Sequence, residues 1–155
     1  MFQHLESSWQ SCPKDTRLLG LDHGTKTLGL ALSDPGQSVV TPLKTITRGK
    51  LDADLQALRK VIADYGVGGI IVGWPLNMDG RPGPRAQSVR DYMTMIEKHI
   101  DIWWAVWDER LSTSAAHGMM DHLTFDKREK AVDALAAQAI LQGAVDYMNA
   151  LRTSA

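Results

Sequence analysis

Cysteine is nearly absent from this chain, because Cys12 is the single one among 155 residues. An intramolecular disulfide and a cysteine-based zinc cluster are therefore excluded. An excess of charge of one sign is also lacking, since 17 Lys and Arg residues face 18 Asp and Glu residues, a net charge of -1. This balance excludes a protein that is basic over its whole surface and leaves local basic patches as the way to bind nucleic acid.

Long apolar runs are missing as well. The longest stretch without Asp, Glu, Lys or Arg covers residues 65–78, which is short of the roughly 20 apolar residues that a membrane helix needs. The first residues show no basic segment followed by an apolar one, so we expect no secretory signal, no membrane association and a cytoplasmic location.

Signatures of several enzyme classes are also missing. The five histidines show no HxxxH or HxH spacing, and no GxSxG motif occurs. The glycine-rich run at residues 66–69 precedes an apolar segment, whereas a dinucleotide-binding fingerprint follows a strand. Histidine-based metal sites, serine hydrolase chemistry and a Rossmann cofactor site are therefore not indicated.

Alternating apolar segments predict strands and helices over most of the chain. The predicted strands are residues 18–21, 28–33, 39–47, 69–72 and 102–107, and the predicted helices are 51–65, 86–96, 115–120 and a long one from near Asp126. Three antiparallel strands followed by alternating helices and strands predict one α/β domain over residues 17–151, a mixed sheet flanked by helices. Residues 1–16 are expected to form a flexible tail.

Asp22 is the first acidic residue in an unusual place, since it ends the first strand and precedes a Gly24-Thr25-Lys26 turn. A carboxylate at a strand terminus is held rigidly, and Gly24 allows a phosphate or a metal to approach the backbone. A turn-capping Asp is the structural alternative.

Asp108 and Glu109 follow the predicted strand 102–107. Side chains alternate across a strand, so these two acids point to opposite faces and only one of them enters a given site. Two solvated acids at the start of a loop, with Arg110 as a partner, are the structural alternative.

Asp133 lies on the apolar side of the last helix. At about 100° per residue it falls opposite the polar face of that helix. Its neighbours on the apolar stripe are Ala137, Ile140, Ala144, Tyr147 and Leu151, and the polar face carries Gln138, Gln142, Asp146 and Asn149. A lone carboxylate facing a core is costly unless it is paired or bound to a metal, so a buried salt bridge and a metal site are both open here.

Metal binding would explain all of these acidic positions together. Carboxylate oxygens suit Mg²⁺, which keeps several waters and contacts substrate phosphates. Two such ions about 4 Å apart can activate a water and stabilise the leaving oxygen of a phosphodiester. The sequence holds the acids that this chemistry requires, and the fold decides whether they converge.

Four segments resemble the motifs of the YqgF/RuvX family, in the same order. They are residues 21–34 (LDHGTKTLGLALSD), 73–80 (GWPLNMDG) with 83–86, 107–113 (WDERLST), and 132–137 (VDALAA) with 140–143. The family comprises RNase H-like proteins described as Holliday junction resolvases or as nucleases that mature the 5′ end of 16S ribosomal RNA. The resemblance implies an RNase H-like mixed sheet of about five strands, the first three antiparallel.

The resemblance also implies roles for single residues. Asp22 would be the central metal-binding carboxylate, Glu109 the second, with Asp108 as its alternative, and Asp133 the third. The residues implied to contact phosphate are Lys26, Arg85 and Arg110. Thr27 stands where an Arg is common in the family, which weakens the implied grip on the substrate.

The implied activity is that of a Mg²⁺-dependent nuclease, with Mn²⁺ as a substitute, that hydrolyses phosphodiester bonds of structured nucleic acid as a monomer or homodimer. Processing of the 5′ end of precursor 16S ribosomal RNA is the favoured interpretation, and resolution of Holliday junctions in DNA is the alternative. Two hypotheses come from other classes: an ATP-binding module that uses the Asp22–Thr25 turn, and a non-catalytic RNA-binding or ribosome-assembly protein.

Overall fold

The computed structural model describes residues 2–109 and 125–154. Its strands are β1 (Arg17–His23), β2 (Thr27–Ser33), β3 (Val40–Thr47), β4 (Val67–Trp74) and β5 (Trp103–Asp108). Its helices are α1 (Leu5–Ser8), α2 (Leu51–Tyr65), α3 (Pro84–His99) and α4 (Phe125–Ser154). The helix predicted at 115–120 lies outside the described residues. None of the described helices is long and apolar enough to cross a membrane.

The five strands form one mixed sheet in the order β3-β2-β1-β4-β5. β1 pairs antiparallel with β2, and β2 with β3, whereas β4 runs parallel to both β1 and β5. The predicted mixed sheet with three antiparallel strands first is therefore confirmed. Because β1 is central, its carboxyl end lies beside the carboxyl ends of β4 and β5 at one edge of the sheet.

Alternation along the strands builds a separate core on each face of the sheet. On β1, Leu19 and Leu21 pack with residues of α2 and α3, whereas Leu18 packs with residues of α4. Consecutive residues at the end of β1 therefore face different helices. Asp22 follows Leu18 onto the α4 face, and His23 follows Leu21 onto the α2/α3 face.

Helix α4 is fixed to the sheet by polar as well as apolar contacts. Gln138 Nε2 donates to Val40 O (3.0 Å), Gln142 Oε1 accepts from Val40 N (3.2 Å), and Asn149 Nδ2 donates to Gln37 O (2.8 Å). The face predicted to be polar is thus bonded to the start of β3 and the loop before it. These bonds fix the rotation of α4 about its axis and hence the direction of its opposite face.

The N-terminal segment packs against β5 instead of forming the predicted tail. Val106 N donates to Gln3 O (2.9 Å), Gln3 Nε2 donates to Trp104 O (2.8 Å), and Leu5 and Cys12 are buried in the α4-side core. The prediction of a flexible tail over residues 1–16 is therefore wrong for this segment. The physical reason is that β5 is an edge strand whose backbone groups and apolar flank need a partner.

Candidate functional site

Asp22 lies at the centre of the site because β1 is the middle strand. It stands opposite Gly29 of β2 in the antiparallel register. On its other side, Gly73 of β4 follows Val72, which is the register partner of Leu21. Neighbouring strands lie about 4.8 Å apart, so the Asp22 carboxylate projects from the α4 face between two residues that have no side chain.

Asp133 of α4 lies directly over Gly29. A Cβ atom on Gly29 would clash with the backbone carbonyl of Asp133 and would lie 3.1 Å from the Asp133 Cβ. The Thr27 hydroxyl, two residues before Gly29 on the same face of β2, donates a hydrogen bond of 2.7 Å to Asp133 Oδ2. The absence of a side chain at residue 29 thus lets α4 bring this half-buried carboxylate close to the sheet beside Asp22.

Glu109 reaches the site from the other side. It comes two residues after Trp107, whose ring packs on Tyr147 of α4 at 5.0 Å between centroids, and so it continues the α4 face of β5. A Cβ atom on Gly73 would lie 3.0 Å from Glu109 Oε2. The Glu109 carboxylate therefore extends across Gly73 towards Asp22.

Asp108 lies on the opposite face from Glu109. It ends β5 in register with Trp74, which packs in the core beneath α2 and α3. The structure thus brings Asp22, Glu109 and Asp133 to one face and places Asp108 on the other. Of the two acids between which the sequence could not choose by pattern alone, Glu109 is the one that shares the face of Asp22.

The carboxylates of the site repel one another. Burial, followed by the charges of Glu109 and Asp133, raises the pKa of Asp22 to about 7, and the Arg85 cation opposes this change. Burial also raises the pKa of Glu109, with Arg85 acting against it and Asp108 adding to it. The acids are close enough to destabilise each other's charged form, which is the electrostatic condition that a bound cation relieves.

Arg85 is a basic residue that the structure brings beside these acids. It lies in the first turn of α3, and its Nη1 is 3.5 Å from Glu109 Oε1, with two thirds of the Arg85 side chain exposed. Lys26 is exposed in the turn between β1 and β2. Arg110 lies outside the described residues.

The donor set fits a hard divalent cation, since it consists of carboxylate oxygens alone. In the two described ranges, no three Asp, Glu, His or Cys side chains form a ready-made metal site. An ion held here would complete its shell with water molecules and substrate oxygens, as Mg²⁺ commonly does. The residues that could hold it are Asp22, Glu109 and Asp133.

Pattern reading missed the residues that seat these acids. Gly29 and Gly73 provide the space, and the signal for Gly29 was present in the sequence, because Gly29, Ala31 and Ser33 form a face of small residues along β2. Thr27 was noted only as a replacement for a basic residue, although its hydroxyl bonds to Asp133. If the last helix is assumed to pack against this face of small residues, both features can be predicted.

Comparison with known sequences identifies close relatives. Residues 16–147 match the family RuvX, described as Holliday junction resolvase. A protein of Rhodospirillum centenum named "Putative pre-16S rRNA nuclease" is 47% identical over 145 residues, which cover 89% of this chain and 77% of that protein. A protein of Paracoccus denitrificans with the same name is 42% identical over 151 residues, covering 96% of each.

Comparison with solved structures identifies the fold. RuvC of Thermus thermophilus, solved in complex with a Holliday junction substrate, superposes with a TM-score of 0.55 at 10% identity, covering 86% of this chain and 96% of RuvC. The yeast mitochondrial Holliday junction resolvase Ydc2 gives a TM-score of 0.53 at 12% identity, covering 96% of this chain and 86% of Ydc2. The chain thus has the RNase H-like fold of these resolvases.

Proposed function

This chain belongs to the RuvX family, and from that premise we propose that it is a divalent-metal-dependent nuclease that processes the 5′ end of precursor 16S ribosomal RNA. The single observation that carries the proposal is the row of three acidic side chains at the carboxyl end of β1. Asp22 stands between two glycines, and Asp133 and Glu109 reach over those glycines from either side. Half-buried acids whose charges repel one another destabilise the folded protein unless a cation lies between them.

The three acidic residues act together in this proposal, and two neighbouring side chains support them. Asp22, Glu109 and Asp133 would hold Mg²⁺, or Mn²⁺ in its place. Ions of this kind supply an activated water for in-line attack on the phosphodiester and stabilise the oxygen that leaves. The Thr27 hydroxyl orients Asp133 through its 2.7 Å hydrogen bond, and Arg85 stands beside Glu109 where a substrate phosphate would approach.

The RNA substrate is supported by the relatives, whose name refers to precursor 16S ribosomal RNA. Their sequences match this chain over 89% and 96% of its length. The net charge of -1 is consistent with a local grip on the RNA instead of a wholly basic surface. We place the activity in the cytoplasm on the basis of this proposed substrate.

The proposal is tested by incubating a precursor 16S RNA fragment that retains its 5′ extension with wild-type protein and with Asp22→Asn, in Mg²⁺, in Mn²⁺ and in EDTA. Asp146→Asn is the matched control, because Asp146 lies on the same helix as Asp133 but accepts a hydrogen bond from Gln142 on the other face. Mutation of a residue that orients a metal ligand lowers metal affinity or activity by about 10–100-fold. Loss of a ligand itself should therefore lower the cleavage rate by more than about 100-fold.

We expect metal-dependent cleavage by wild type and Asp146→Asn, and none above background by Asp22→Asn. Equal cleavage by wild type and Asp22→Asn would indicate a contaminant or a different site. Binding of the RNA without cleavage in either metal would indicate a non-catalytic RNA-binding protein instead.

Resolution of Holliday junctions is a second candidate, which the description of the matched family favours. The same acids would then act on two strands of a four-way DNA junction. Symmetric cutting of a synthetic junction, with the RNA precursor left intact under the same conditions, would decide for this activity.

A further inference from the structure

We propose that a pocket on the opposite face of β1 from Asp22 binds the phosphate of a nucleotide next to the scissile bond. This inference rests on the proposed nuclease function and adds a second contact with the substrate strand. The pocket has a volume of about 410 Å³. Its lining includes Gly24, Thr25, Arg48, Arg85, Tyr92 and Met95.

Arg48 is held in a fixed position at this pocket. Its Nη1 donates to the carbonyl oxygens of Gly24 (2.7 Å) and Thr25 (3.2 Å), and its guanidinium carbon lies 4.8 Å from the centre of the Tyr92 ring. A guanidinium group has five N–H donors. Within the described residues, the hydrogen bonds of this side chain all come from Nη1, which leaves Nε and Nη2 for a ligand.

The support beneath Arg48 is fixed in turn. The Tyr92 hydroxyl donates to Asp54 Oδ2 (3.0 Å), and Asp54 Oδ1 accepts from Gly49 N (3.0 Å). Both Tyr92 and Asp54 are buried. A cation whose side chain is ordered before a ligand arrives loses little conformational entropy on binding, so this arrangement suits recognition more than it suits a solvated surface arginine.

Arg85 connects the pocket to the acidic site. It lines the pocket and also lies 3.5 Å from Glu109. Asp22 and His23 are consecutive residues, and His23 lines the pocket as well. A nucleic acid strand with its scissile phosphate at the acids would therefore pass Arg85 and bring a neighbouring phosphate to the two arginines.

The chemistry of the lining favours a phosphate over an uncharged ligand. Two guanidinium groups are suited to the oxygens of a phosphate. The one carboxylate in the described lining, that of Asp91, already accepts a hydrogen bond from Gln87 Nε2 (2.9 Å). The Met95 side chain, which is 39% exposed, adds an apolar surface beside which a sugar or base can lie.

The test replaces single phosphates of a short RNA with uncharged methylphosphonates, one position at a time, and measures binding in EDTA, where no cleavage occurs. For wild type, we expect one position at which the replacement weakens binding roughly tenfold, as loss of a charged hydrogen bond should. Arg48→Ala should bind the unmodified RNA about tenfold more weakly and should be insensitive to that replacement. Lys98→Ala, which removes an exposed cation at the other end of α3, should behave as wild type.

A second measurement uses only the wild-type protein, since Arg48→Ala also removes the hydrogen bonds to the carbonyls of Gly24 and Thr25 in the β1–β2 turn. The Nε–Hε resonances of Arg48 and Arg85 are followed by nuclear magnetic resonance during titration with inorganic phosphate. Saturable shifts of both resonances are expected. The inference is overturned if neither resonance shifts, or if Arg48→Ala keeps the full sensitivity to the same methylphosphonate.

These outcomes separate this inference from the proposed function. Position-specific binding that depends on Arg48, without cleavage in any metal, would retain the pocket and reject the nuclease. Cleavage that depends on Asp22, without any position that depends on Arg48, would retain the nuclease and reject the pocket.

Discussion

Asp22 and His23 are adjacent in the chain, and their surroundings are opposite in sign. Burial and the acids Glu109 and Asp133 raise the pKa of Asp22 to about 7, whereas burial and the cations Arg48 and Arg85 lower the pKa of His23 to about 4. On the α4 face, the charges that act on Asp22 are mainly those of carboxylates. On the other face, the charges that act on His23 are mainly those of Arg48 and Arg85, with Asp54 opposing them. Each set of like charges is unfavourable on its own, and the proposed ligands, a metal ion on the α4 face and a phosphate on the α2/α3 face, would relieve it.

The comparison predicts that substitutions of Asp108 and Glu109, at the end of β5, differ sharply in their effect on RNA cleavage. Glu109→Gln removes a proposed metal ligand and should lower the rate of RNA cleavage by more than about 100-fold. Asp108→Asn changes an acid on the other face and should lower the rate of RNA cleavage by less than about threefold, because the effect of a partly screened charge is small. Single-turnover cleavage rates in saturating Mg²⁺ measure both. Equal losses would show that the two faces do not divide the chemistry.

The opposite pKa changes predict opposite effects of pH on stability without metal. The folded pKa of Asp22 is above its usual 3.8, so folded protein retains a proton that unfolded protein releases, and the free energy of unfolding falls from about pH 4 to about pH 7. The folded pKa of His23 is below its usual 6.5, so its contribution rises with pH between about 4 and 6.5. The two contributions oppose each other in the wild type.

Asp22→Asn separates these two contributions. It should be more stable than the wild type at pH 8 in EDTA, by about a few kcal/mol, and the difference should vanish near pH 4. Urea unfolding at several pH values measures this. Addition of Mg²⁺ at pH 8 should stabilise the wild type and leave Asp22→Asn unchanged. A difference between the two proteins that is constant with pH would contradict the assignment.

Thr27→Val tests how firmly the acidic face depends on the position of Asp133. The substitution keeps the shape of the side chain and removes the hydroxyl that donates to Asp133 Oδ2. We expect a loss of about tenfold in cleavage or in the affinity for Mg²⁺, as for other groups that orient a metal ligand. Thr27→Ser keeps the hydroxyl and should retain most of the activity. A similar loss in both variants would point to packing on β2 instead.

Lys26→Ala should have the smallest effect, because Lys26 is exposed in the β1–β2 turn between the two faces. Removing one phosphate contact should weaken RNA binding a few-fold at low salt and reduce the slope of log affinity against log salt by about 0.7–0.9. Filter binding at several salt concentrations gives that slope. An unchanged slope would remove Lys26 from the RNA contacts.

Sequence patterns predicted the features that depend on one element. The strand alternation separated Asp108 from Glu109, and the helical stripe placed Asp133 towards the sheet. They did not predict the partners that come from distant elements, such as Thr27 with Asp133, 106 residues apart in the chain. The packing of Arg48 on Tyr92 was missed for the same reason, since it joins the end of β3 to the middle of α3.

The N-terminal segment was mispredicted for a related reason. Its fixation comes partly from a backbone hydrogen bond that Val106 N donates to Gln3 O and from a side-chain hydrogen bond that Gln3 Nε2 donates to Trp104 O, and such bonds leave no mark in a sequence pattern. The apolar residues Phe2, Leu5, Trp9 and Cys12 recur at spacings of 3, 4 and 3 and pack against the two cores. These spacings are typical of a helix, and the prediction of a tail left them out of account.

That segment has a consequence for how copies of the protein could associate. By lying along β5, it protects this side of the sheet from the addition of a foreign strand and hence from aggregation. The opposite margin, β3, is guarded differently: Pro42 lacks a donor, Lys44 is an exposed charge, and the pairing register shifts between Leu30 and Ala31. Shortening the chain to residues 17–151 would uncover β5 and should make the protein prone to precipitate.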